Sequence, residues 1–145
     1  MNQQGEQRMK ILRSVVAFVL GFLIIGLTGV LTFQLFGDAM LRSANWSVGL
    51  RPPSSYVWLM LTTDLLASLA CGGMMAIVAR KFAYQTGLLL ALFLGSLRAY
   101  QYFSALSLHP HWYSLVLVFV PLVGILGGVR ILRRFHPDID YLWDL

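Results

Sequence analysis

Residues 88–103 read LLLALFLGSLRAYQYF, an apolar run long enough to lie across a bilayer, with one arginine, Arg98, well inside it. A guanidinium at membrane depth is costly unless something nearby accepts it. Another apolar segment carries one acid, Asp64. The two charges are therefore expected to meet, and the rest of the chain can be read outward from that pair.

The membrane reading rests on composition as well as on this run. Of the 145 residues, 58% are hydrophobic and 12% charged, about half the charged share of an ordinary soluble domain. Long charge-free stretches with so few charges mean that lipid is the solvent. The net charge of +5 could instead mark a nucleic-acid binder, but the basic residues cluster at the ends of apolar segments. A single cysteine, Cys71, excludes a dithiol redox enzyme and reads as a small packing residue. Neither a haem-attachment motif nor a Cys/His ligand cluster is present, so no metal or cofactor is expected.

Four spans follow, at about 14–36, 56–79, 82–106 and 112–132. The first is preceded by basic residues, as a signal peptide would be. Its apolar stretch is too long for one, and Phe-Gln-Leu-Phe-Gly-Asp is a poor cleavage site. An outer loop is expected at 37–55, with Pro52-Pro53 and Ser54-Ser55 reading as a stop followed by a helix cap. Arg80-Lys81 makes a very short turn, which predicts a tight antiparallel hairpin of spans two and three. A polar tail, 133–145, ends the chain. The expected fold is all-α: one membrane domain over residues 1–145, a four-transmembrane-helix antiparallel bundle with no soluble domain.

Orientation follows from the basic residues. Arg8, Lys10, Arg13, Arg80, Lys81, Arg130, Arg133 and Arg134 fall on one side, and Arg42 and Arg51 on the other. Both termini are therefore expected in the cytoplasm. Trp46, Tyr56, Trp58, Tyr100, Tyr102, Trp112 and Tyr113 ring the outer boundary as interfacial anchors.

Asp64 and Arg98 each lie about 4–5 Å outward of their span's middle, so an antiparallel hairpin sets them level. Small residues share their faces: Ser68, Cys71 and Gly72 with Asp64, and Gly87, Ala91 and Gly95 with Arg98. Such residues let helices approach closely where lipid supplies no hydrophobic drive. Gly21, Gly26 and Gly29 in span one, and Gly124, Gly127 and Gly128 in span four, are expected to do the same, and Pro121 to kink span four. The ion pair is either a structural brace or a polar site open to the outside, with Gln34, Thr63, Gln101 and Tyr102 as candidate cavity residues. His109 and His111 flank Pro110 at the outer surface as loop residues rather than metal ligands.

Gly72-Gly73 followed by Ala79-Arg80-Lys81, then His109-Pro110-His111-Trp112, then Pro121 with Gly127-Gly128, resembles a group of short bacterial four-helix integral membrane proteins over residues 65–130. The resemblance implies fold and compartment, a multi-pass protein of the bacterial inner membrane, and no particular activity. Members often carry an acid near the end of span one, where this chain has Gln34.

Two functions stay open. One is a non-enzymatic accessory or interaction subunit, supported by the lack of a nucleophile–base pair, a metal motif or a phosphate-binding loop. The other is a small dimeric transporter or channel built around Asp64 and Arg98; four spans would need self-association to enclose a path. A lipid-modifying enzyme ranks last, because nothing fixes a nucleophile. The expected partners are the bilayer and either a second copy or another membrane protein, and not nucleic acid.

Overall fold

The computed structural model describes residues 3–43, 53–104 and 111–135. All of the regular structure within them is helical: α1 (Gln3–Thr32), a π-helical turn (Phe33–Gly37), α2 (Asp38–Ser43), α3 (Ser54–Val78), a 3-10 turn (Arg80–Phe82), α4 (Ala83–Ser104) and α5 (His111–Phe135). Four stretches are long and apolar enough to cross a membrane: Gln7–Ser43, Ser54–Val78, Arg80–Tyr100 and Leu115–Phe135.

The first of these runs further than the expected span. Its 37 residues rise about 55 Å, well beyond a hydrocarbon core of about 30 Å. Helix continues through the π turn into α2, so the connection expected from residue 37 begins after Ser43. The wider π turn adds a residue to the helical repeat and re-phases the faces. Gly37 and Leu41 are thereby buried, and Gly37 faces the ring of Tyr56 at the start of α3. Asp38 and Arg42 pair at 2.7 Å one turn apart on the exposed side of α2.

α3 begins differently from the serine-capped start expected. Pro53 is the N-cap, with ψ 148°, and makes no side-chain cap hydrogen bond. Ser54 already lies inside the helix, and the Val57 amide donates to the Pro53 carbonyl at 3.2 Å. At its other end α3 closes where Arg80 takes φ 48°, the left-handed conformation that a glycine would usually supply. The Arg133 guanidinium donates to the Arg80 carbonyl and sits 5.1 Å above the ring of Tyr84, fastening α5 to this turn.

The turn between α3 and α4 is as tight as expected, but the two helices do not pack as a closed hairpin. Each has its main interface with α5, which lies between them, and they touch one another sparsely. Glycine is the reason. A Cβ on Gly72 would collide with the Ile125 carbonyl oxygen, and one on Gly128 with that of Leu69. The two substitutions would force α3 and α5 apart from opposite sides, so their backbones meet only because both side chains are missing. Gly26 and Gly29, by contrast, have nothing within 4 Å and serve no packing role among the described residues. α1 covers α3 and part of α4, with Phe18 and Phe22 against Phe93 at 5.9 and 6.0 Å between ring centres. The core at the meeting of all four helices includes Ala17, Cys71, Met75, Leu90, Ile125 and Val129.

Candidate functional site

Asp64 lies 14 residues before the end of α3 and Arg98 lies 15 after the start of α4, about 21 and 22 Å of helix from their shared turn. Their heights match, and the faces turn toward each other. Arg98 Nη1 is 2.7 Å from Asp64 Oδ2, with side-chain exposures of 16% and 14%. The short charge-assisted contact joins α3 and α4 at the end away from their shared turn, where α5 lies between them.

Arg98 has a second acceptor that charge counting does not disclose. Its Nη1 also donates to the backbone carbonyl of Leu117 on α5, a long hydrogen bond at 3.4 Å. In a regular helix that carbonyl would accept the amide of the residue four further along. That residue is Pro121, which lies inside α5 and has no amide hydrogen. The proline thus frees the acceptor that the arginine uses, and one guanidinium ties α3, α4 and α5 together. The clue is legible in sequence as a proline four residues after Leu117, but it gains meaning only once α5 is known to sit beside Arg98.

Aromatic side chains surround the pair on α3 and α5. Tyr113, one turn before Leu117 on α5, is buried at 4% exposure and close enough to Asp64, Arg98 and Tyr56 to interact with them electrostatically. Trp58 on α3 and Trp112 on α5 pack with their ring centres 5.8 Å apart, and Trp112 meets Tyr113 edge-on. Tyr56, Trp58, Trp112 and Tyr113, read from sequence as boundary anchors, thus also join helices near the pair.

Two of the other residues singled out for a cavity, Thr63 and Gln34, do not reach the pair. The Thr63 hydroxyl donates to the Leu59 carbonyl of its own helix at 2.8 Å, and Thr62 does the same to Trp58. Gln34 is exposed on the π turn. Among the described residues no hydrogen bond or ion pair joins Gln34 or Thr63 to Asp64 or Arg98. Gln101 and Tyr102 belong to α4, but their side chains lie outside the described residues, as does His109. One turn after Asp64 on α3, Ser68 is wholly buried against Gly124, and its hydroxyl has no partner among the described residues. Also among the described residues, no three His, Cys, Asp or Glu side chains converge as metal ligands would.

No family model, curated protein or solved structure matches the chain.

Proposed function

We propose that this chain is a multi-pass protein of the bacterial inner membrane, with both termini cytoplasmic, acting as a non-enzymatic accessory or interaction subunit. The observation that carries the proposal is how Arg98 is used. Its charge is met by Asp64 and by the Leu117 carbonyl that Pro121 leaves free, an arrangement that supports reading the pair as a brace among three helices. A substrate site would need at least one of these groups to be available. The basic ends support the orientation, with eight Lys and Arg on the cytoplasmic side against two on the other.

The test is to exchange the charges, Asp64→Arg with Arg98→Asp, and to follow both folding and flux. A brace tolerates exchange in part: the double variant regains much of the stability lost by either single change. Proteoliposomes carrying the unaltered chain then conduct neither protons nor small organic ions. Flux in the unaltered chain that is abolished by Asp64→Asn would overturn the accessory role and install the alternative, a small dimeric transporter whose site is the Asp64 and Arg98 pair.

A further inference from the structure

The basic end of α1 forms one wall of a groove with a chemistry of its own. Lys10, Ile11, Ser14 and Val15 line it from α1, and Phe82 lines it from the 3-10 turn, around an open volume of about 200 Å³. Lys10 with Ser14, and Ile11 with Val15, are four residues apart and so form two adjacent rows along the helix. Val15 lies about 7.5 Å further toward the middle of the span than Lys10. The groove therefore has a cation at its mouth and apolar side chains below it. Ile11 and Val15 are more than half exposed, and Phe82 more than a third. Arg13, one turn from Lys10, and Lys81, the neighbour of Phe82, are exposed as well.

We propose that this groove holds one anionic phospholipid of the leaflet that faces the basic ends. Its phosphate sits at Lys10, and one acyl chain lies along Ile11, Val15 and Phe82. The vertical order of the lining matches that occupant: charge at headgroup level, hydrocarbon within the next two turns. The Lys10 stem can lie along the apolar wall while its ammonium stays at the interface. A zwitterionic lipid offers the same chain but cancels the attraction of its phosphate. A soluble anion offers the charge but nothing to cover Ile11 and Val15. The proposal rests on the membrane reading and is independent of the accessory role.

Native mass spectrometry of the full chain, released from bilayers of mixed phosphatidylglycerol and phosphatidylcholine into mild detergent, tests it. The expected result is one retained phosphatidylglycerol per chain. Lys10→Gln weakens retention about fivefold, as expected for one basic residue near an anionic surface. Val15→Trp fills the groove without changing charge and also displaces the lipid. Arg134→Gln, at the basic end but outside the groove, leaves retention unchanged. Three results would each overturn the site: equal retention of both lipids, full retention by Val15→Trp, or a loss in Arg134→Gln as large as that in Lys10→Gln. Flotation of the chain with vesicles keeps these outcomes separate from failure of the membrane reading, since a chain that floats yet retains no lipid refutes the groove alone.

Discussion

Arg98 and Arg133 do related work at opposite ends of α4. Each is a guanidinium that donates to a backbone carbonyl where the α-helical ladder is interrupted. For Arg98 the acceptor is Leu117, released by Pro121; for Arg133 it is Arg80, whose carbonyl also accepts the Ala83 amide in the 3-10 turn. The difference lies in the second partner. Arg98, far along its span, has a carboxylate at 2.7 Å, whereas Arg133, in the last turn of α5, has the face of Tyr84. In the proposed membrane placement, depth accounts for the contrast. Full charge at bilayer depth needs a compensating charge. A guanidinium near the interface can still reach water and is favoured by the carbonyl end of its helix. The same hydrogen-bonding device therefore needs an acid in one place and only a ring in the other.

The largest expected effect breaks this comparison directly. Asp64→Ala leaves Arg98 with a long bond to Leu117 and no anion, and Arg98→Ala strands the carboxylate. Each should cost about 3–5 kcal/mol of stability in detergent, as the loss of one member of a buried pair does. Arg133→Gln should cost only about 1 kcal/mol, because it removes one hydrogen bond and one ring contact near water. Denaturation followed by Trp58 and Trp112 fluorescence would measure both. Equal losses at the two arginines would mean that depth is not what separates them.

Next in size are the glycines that bring α5 to the ion pair. Gly72→Ala and Gly128→Ala place a methyl group against a carbonyl oxygen that belongs to backbone and cannot rotate away. A loss of about 1–3 kcal/mol is expected for each, the usual cost of overpacking. Moving α5 should weaken the Leu117 contact while leaving Asp64 and Arg98 together. Gly26→Ala, with open space around it, serves as the control and should be neutral or slightly stabilising. A deficit in the control as large as in the other two would show that helix propensity or lipid contact, and not the crossing, is being measured.

The link between Pro121 and Arg98 sharpens the outer half of the comparison. Pro121→Ala restores an amide that competes for the Leu117 carbonyl, so Arg98 loses sole use of it. In a double-mutant cycle, Pro121→Ala and Arg98→Lys should couple by about 0.5–1.5 kcal/mol, the net worth of one hydrogen bond. Strict additivity would detach the proline from the arginine.

How far the sequence anticipates all this follows from the kind of physics involved. Lipid-length apolar runs and a shared short turn set Asp64 and Arg98 at one height, because helical rise is nearly constant. The position of α5 was not legible, since it depends on which of several glycines meets another backbone. Gly72 and Gly128 do, Gly26 and Gly29 do not, and composition treats the four alike. The continuation of α1 through Phe33–Gly37 was equally hidden, because a π turn carries no periodic signature of its own. Without the place of α5 the Leu117 carbonyl has no evident use, although Pro121 stands in the sequence.

The smallest expected effect probes the other half of the comparison and carries a sign. Arg80 holds φ 48° at about 1 kcal/mol of strain for a residue with a Cβ, while its carbonyl serves Arg133. Arg80→Gly removes the strain and keeps the carbonyl. Glycine gives back part of that gain through the greater freedom of the unfolded chain, so the net should be about 0.5 kcal/mol of stabilisation. The proposed orientation should survive, because it would still rest on seven basic residues against two, one fewer than the eight now on that side. Arg80→Ala is the discriminating partner: it removes the same charge but keeps the Cβ, and should show no gain. If alanine stabilised as much as glycine, crowding among Arg80, Lys81 and Arg133 would be the burden at this turn, and the left-handed backbone would cost the protein nothing measurable.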